Sequence, residues 1–170
     1  MQELNLVLLV KGAIRPCVTV ALYGQVIGRV KLHENIVQMM HQHGLAHNDI
    51  KPANVCVRVG AEGARVTVID FGLTMAAGAL PSLGIQWNEQ LCYAPEICRS
   101  ERAGPCGSLS DAYAVGKLLL VLFSGKQQMP QLVRRWFFRS QERIPRERQG
   151  LGALLEALEQ ERIRLLRRCY

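Results

Sequence analysis

The apolar positions change period several times along the chain, and each change marks an element. Leu4–Val10 is a short, mostly apolar run that reads as a strand or a buried connector. From about Gly24 to Gln42 the spacing becomes helical: Val26, Val30, Ile36, Val37 and Met40 can line one face, and Gly44 is placed to cap the end. Leu45–Asn54 sets Pro52 and polar residues among apolar ones and predicts a structured loop. Two β-branched runs follow, Val55–Val59 and Val66–Ile69, with Gly60-Ala61-Glu62-Gly63 between them; this predicts a hairpin. Phe71–Leu91 is long, Gly-rich and polar, and a loop of that length in a compact domain is usually functional or mobile. Ser110-Asp111 is expected to cap an apolar helix, Ala112–Phe123, buried on nearly every side. Gly125 and Pro130 close that helix, and Arg- and Leu-rich helices complete the chain. The pattern contains no internal repeat and predicts a mainly α domain with a small β-hairpin.

Composition narrows the class. The chain has 170 residues, 49% hydrophobic and 21% charged, enough apolar material for one globular core and unlike a disordered or collagen-like chain. No apolar run approaches the ~18 residues that span a bilayer, and Leu4–Val10 lacks the basic flank and cleavage site of a secretory signal. The expected location is the cytoplasm, with the nucleus as the alternative. None of the six cysteines, at 17, 56, 92, 98, 106 and 169, has C-x-x-C spacing, so they are expected to be reduced and to pack as small apolar residues.

Charge is uneven. Of a net +7, the stretch from Arg134 to Tyr170 carries ten Arg against five Glu. Leu151, Leu154, Leu155, Leu158, Ile163 and Leu166 recur among those charges at roughly helical spacing, which favours a solvated helix face. The final helix has no interleaved aromatics to stack bases, and nucleic acid is not an expected partner. The histidines at 33, 41, 43 and 47 invite a metal reading, but His41 and His43 stand two apart near a helix end, where they point to different faces.

The chemistry concentrates in His47-Asn48-Asp49-Ile50-Lys51-Pro52-Ala53-Asn54, followed sixteen residues after Asn54 by Asp70-Phe71-Gly72. Asp49 falls in a loop between a helix and a hairpin, where rigid elements can hold an acid facing a cleft. Lys51, two residues on, can project to the same side and neutralise a phosphate. Asn54 offers a hard carbonyl oxygen at the start of the first hairpin strand, and Asp70 ends the second, so strand pairing would bring them together as a Mg²⁺ site for a polyphosphate. Asp49 would then be free to receive a hydroxyl proton.

This order of residues resembles the C-terminal lobe of eukaryotic-type protein kinases, whose signature combines such a loop with Asp-Phe-Gly. His41–His47 resembles the end of the family's long helix entering its catalytic loop, and Cys92-Tyr93-Ala94-Pro95-Glu96 the close of its activation segment. Ser110–Gly116 resembles the start of its central buried helix, where the Asp holds the catalytic-loop backbone. Pro145–Arg148 resembles the late segment whose Arg pairs with the Glu of Ala-Pro-Glu, which implies an Arg148–Glu96 pair. The resemblance covers roughly residues 1–158, leaving 159–170 as a basic C-terminal helix or tail. It implies Asp49 as catalytic base, Lys51 on the γ-phosphate of ATP, Asn54 and Asp70 as magnesium ligands, and serine/threonine specificity through Lys51.

Two departures from the family pattern stand out. Asn48 occupies the place of an Arg that usually receives a phosphorylated activation loop, and neither Thr74 nor Ser82 has an evident cationic receiver. No Gly-x-Gly-x-x-Gly occurs, and Lys11 and Lys31 lie in the wrong context for an ATP-anchoring strand lysine. The expected fold is therefore a kinase-like C-lobe lacking the N-terminal β lobe. The expected function is ATP- and Mg²⁺-dependent phosphoryl transfer to protein Ser/Thr hydroxyls. The alternatives are a catalytically silent pseudokinase-like module that docks a protein partner, or a fragment of a longer kinase.

Overall fold

The computed structural model describes residues 5–7, 36–60, 63–81, 83–123 and 129–167. In chain order these form β1 (Asn5–Val7), α1 (Ile36–Gln42), β2 (Leu45–Ala46), β3 (Val55–Gly60), β4 (Gly63–Val68), β5 (Met75–Ala76), α2 (Ser108–Leu122), α3 (Gln131–Ser140) and α4 (Leu151–Leu166). Short 3-10 turns begin at Pro52, Pro95 and Pro145, each using the fixed φ of proline at its first position. The class is mainly α, as the periodicity predicts, with two small antiparallel sheets where a single hairpin is expected.

The β-branched runs do pair as a hairpin, in the register Val55↔Val68 to Gly60↔Gly63. β1 adds to the free edge of β3, with Leu6 opposite Val57, so the element is a three-stranded sheet rather than an isolated hairpin. The expected loop at 45–54 contains a strand: β2 pairs with β5, Leu45 opposite Ala76 and Ala46 opposite Met75. That ribbon joins two segments about 30 residues apart, a pairing that local pattern cannot announce. Gly44 closes α1 at φ +69, the left-handed conformation expected of a helix C-cap, with its N–H on the His41 carbonyl. Within α1, Val37 is buried but Ile36 is 44% exposed, so the predicted apolar face does not include Ile36; the part of the predicted helix at 24–35 lies outside the described residues.

The helix expected from Ala112 starts one turn earlier. Gly107 is its N-cap residue, and Ser110 Oγ accepts the Gly107 N–H at 3.2 Å from inside the first turn. Ser110 and Asp111 are therefore buried first-turn residues; Ser110 keeps a capping contact with Gly107, and both side chains also make contacts across the core. α2 runs through the centre of the molecule. Ala112, Ala114 and Leu118 enter one apolar cluster with Ile50, Val55, Val133, Trp136, Phe137, Leu151 and Leu154. Tyr113, on another side, enters a second cluster with Ala46, Ala94, Ile97, Cys98 and Cys106. Full burial of a Val, Leu, Ile or Phe side chain among them contributes about 1.5–3 kcal/mol. Trp136 is 1% exposed, and its indole N–H is satisfied by the Gly150 carbonyl at 2.9 Å. Phe138 points outward, so of the three aromatics in this run only Trp136 and Phe137 are core. α4 runs unbroken through residues 158 and 159.

At Gly116 in α2 a β-carbon would collide with Ser140 Oγ, at the end of α3, and with the Gln141 side-chain amide. Gly116→Ala is expected to destabilise the fold by about 1–3 kcal/mol through overpacking. A urea titration followed by circular dichroism checks this, and an unchanged midpoint would contradict the packing.

Candidate active site

The site is built on a loop whose backbone is fixed from below. Asp111, with no exposed surface, accepts the His47 and Asn48 backbone N–H groups on its two carboxylate oxygens, both at 2.8 Å. His41 Nε2 lies 2.8 Å from Asp111 Oδ2, joining α1 to the same anchor. These charge-assisted bonds compensate a carboxylate that could not otherwise be buried. Asn48 is held at φ +64, a conformation that Asn tolerates better than most residues. Its side-chain amide donates to the Leu73 carbonyl at 3.1 Å, so Asn48 ties the loop to the start of the following segment.

Asp49 follows, 4% exposed. Lys51 Nζ donates to its Oδ2 at 2.8 Å, and Asn54 Nδ2 donates to the same oxygen at 2.7 Å and to the Asp49 carbonyl at 2.9 Å. Lys51 and Asn54 thus converge on Asp49, one from an extended residue and the other from the 3-10 turn that Pro52 opens. Tyr93 Oη donates to the second Asp49 oxygen at 2.8 Å, a contact that the spacing along the chain does not foretell. Asp49 holds the Lys51 ammonium above its ordinary pKa by hydrogen bonding. Burial, then the bond to Asp49, pushes the Tyr93 phenol up, and burial does the same to the neighbouring Cys92 thiol.

Asp70 lies just beyond β4, brought beside Asn54 by the hairpin register: the Ile69 N–H donates to the Asn54 carbonyl at 2.9 Å. Its backbone is left-handed, φ +65, and its exposed carboxylate accepts the Gly72 N–H at 3.3 Å. Phe71 packs on His47, with ring centroids 5.1 Å apart. Among the described residues the histidines take separate partners: His41 engages Asp111, His43 Nδ1 is 2.9 Å from the Met39 carbonyl, and His47 is buried against Phe71. His33 lies outside the described residues, as do Lys11, Lys31 and Ser82.

The segment closing the site is anchored at its far end. Arg148 grips Glu96 through two bonds, 2.6 and 2.9 Å, with both side chains almost wholly buried, and Ser110 Oγ donates to Glu96 at 2.8 Å. The pairing implied by the resemblance is therefore present. Sequence reading did not anticipate the braces on 87–93. Trp87 Nε1 donates to the Tyr93 carbonyl at 3.1 Å, Lys117 Nζ to the Glu89 carbonyl at 2.7 Å, and Arg143 to the Glu89 carboxylate at 2.7 Å. Nothing in their spacing foretells these contacts, which span 28 and 54 residues for the two that reach Glu89.

A catalytic-type loop held by a buried Asp, a following Asp-Phe-Gly, and an Ala-Pro-Glu locked by an arginine define the catalytic lobe of a protein kinase. The family model described as "Protein kinase domain" matches residues 29–169, and the chain belongs to that family. It is similar to the serine/threonine-protein kinase TOS3 of Saccharomyces cerevisiae, 32% identical over 101 residues, 53% of this chain and 17% of that protein. It is 31% identical over 120 residues to the serine/threonine-protein kinase PknL of Mycobacterium tuberculosis, 69% of this chain and 27% of that protein. A third relative is the smooth-muscle myosin light chain kinase of Gallus gallus, 32% identical over 89 residues, 52% of this chain and 4% of that protein. The aligned stretches span less than a third of each of these relatives.

Breaking the buried ion pair by Arg148→Met is expected to destabilise the fold by about 3–5 kcal/mol, because Glu96 is left charged and unpaired. Adding Glu96→Gln should recover part of that loss. Urea unfolding of the single and double variants measures both, and a single variant as stable as the parent would contradict a buried, paired Glu96.

Proposed function

We propose that the chain is the catalytic lobe of a serine/threonine protein kinase, passing the γ-phosphoryl group of ATP to protein hydroxyls. The carrying observation is the convergence of Lys51 and Asn54 on a buried Asp49 whose loop is fixed by Asp111. In this reading Asp49 takes the proton of the acceptor hydroxyl, and Lys51 offsets charge on the transferring group. Asn54 and Asp70 supply hard oxygen donors of the kind Mg²⁺ takes. Among the described residues no three His, Cys, Asp or Glu side chains form a metal cage. A two-residue site completed by phosphate and water suits Mg²⁺, which is seldom bound by an all-protein shell. Bound there, the ion would neutralise charge on the polyphosphate.

The functional division follows the resemblance, with 1–158 as the lobe and 159–170 as a basic extension. Among the described residues no helix is long and apolar enough to cross a membrane; the proposed setting is the cytoplasm or nucleus. A second reading, a docking module without catalysis, draws support from exposed apolar side chains. Val66, Ile69 and Phe71, on and just beyond β4, are each at least 40% exposed.

Calorimetric titration with Mg-ATP, beside Asp70→Asn, separates the readings. Binding abolished by the substitution is expected, and Asp49→Ala should then lower phosphoryl transfer about 10²–10⁴-fold while leaving nucleotide binding in place. A folded chain that binds no nucleotide would favour the docking reading, and transfer unaffected by Asp49→Ala would remove the catalytic assignment.

A further inference from the structure

Tyr93 occupies the position on Asp49 where chemistry would begin. A general base works within about 2.6–3.2 Å of the group it deprotonates, and the Tyr93 hydroxyl stands 2.8 Å from Asp49 Oδ1 as donor. The other carboxylate oxygen is already filled by Lys51 and Asn54. With Asp49 only 4% exposed, an incoming hydroxyl has little access while the phenol is seated. Lys51 Nζ also donates to the phenol oxygen at 3.4 Å and lies 5.9 Å from the ring centroid, so the hydroxyl bridges base and lysine.

The phenol is not needed to align the carboxylate. Asn54 clamps Asp49 through both a side-chain and a backbone oxygen, and Lys51 holds the same side chain without Tyr93. The seat itself is built: Trp87 holds the Tyr93 carbonyl, the Arg143 guanidinium lies 5.6 Å from the Trp87 ring centroid, and Glu89 is tethered by Arg143 and Lys117. We infer that Tyr93 gates the acceptor site, its O–H holding the Asp49 Oδ1 position that a substrate hydroxyl must take. The inference rests on the reading of Asp49 as the base. Entry then exchanges one hydroxyl–carboxylate bond for another. Only a group that donates a hydrogen bond can displace Tyr93 without leaving a buried carboxylate oxygen unpaired. The seated phenol also weakens apparent acceptor affinity by the fraction of molecules in which it is displaced.

The test uses the full chain with Tyr93→Phe and Tyr93→Ala. Carboxylates are labelled with a water-soluble carbodiimide and an amine, and the sites are mapped by mass spectrometry; protection of Glu96 in every chain reports retained folding. Asp49 is expected to label slowly in the parent and several-fold faster in both variants. With Mg-ATP and a degenerate Ser/Thr peptide mixture, Tyr93→Phe is expected to lower the acceptor KM about tenfold, leaving kcat and the ATP KM in place. Equal Asp49 labelling in parent and variants would overturn the inference. So would a fall in kcat at constant acceptor KM, the mark of a residue that merely positions the base. If the parent, Tyr93→Phe and Asp49→Asn all fail to transfer phosphate, the kinase reading fails, and the labelling still decides whether Tyr93 covers Asp49.

Discussion

A carboxylate with no exposed surface is stable only when its lone pairs are filled by strong donors, and Asp111 meets that demand with the backbone of the loop above it. Two consecutive N–H groups, of His47 and Asn48, point at its two oxygens, and His41 reaches one of them from α1. The central helix, the preceding helix and the catalytic-type loop are therefore fixed to one another through a single side chain. Displacing Asp111 would leave two buried N–H groups without acceptors, each costing about 1–3 kcal/mol. The position of Asp49 relative to the hairpin follows from this anchor.

A second buried charge performs the corresponding task for the segment that closes the site. Glu96 receives two bonds from Arg148 and one from Ser110, drawing the Ala94–Ile97 turn onto the first turn of α2. Asp111 and Ser110 are adjacent, so one turn of one helix holds both the loop below the site and the segment above it. That geometry explains why the helix begins at Ser108: a start at Ala112 would have left both residues outside the helical turn. It also explains why Asn48 can stand where an arginine is usual in the family. Its amide donates to the Leu73 carbonyl at 3.1 Å and ties the loop to the following segment.

The local network around Asp49 is fully occupied in consequence. With Lys51 and Asn54 on one oxygen and Tyr93 on the other, the acid is preorganised and closed at the same time. In the proposed kinase reading, preorganisation reduces the rearrangement needed during reaction, while closure makes access to the acid a competition between hydroxyls. The bracing of 87–93 by Trp87, Lys117 and Arg143 gives that competition a defined starting structure.

Much of this was legible in the chain. The hairpin was visible in its β-branched runs and intervening glycines, the buried helix in its apolar run, and the C-cap at Gly44 in the one residue that takes φ +69 at no steric cost. The Asp49–Lys51–Asn54 group and the Glu96–Arg148 pair were legible as well, because local spacing and family order carry them. Only the tertiary structure decided the rest. β2 pairs with β5 because the chain folds 45–46 against 75–76; two-residue strands carry no periodicity of their own. The strand at Asn5–Val7 falls in the apolar run that the sequence marks, but its pairing with the free edge of β3 does not follow from that run. The occupation of Asp49 by Tyr93 spans 44 residues and depends on the angle at which a braced segment returns over the loop. Residue identity determines which bonds a side chain can form, and long-range packing determines which partner arrives to form them.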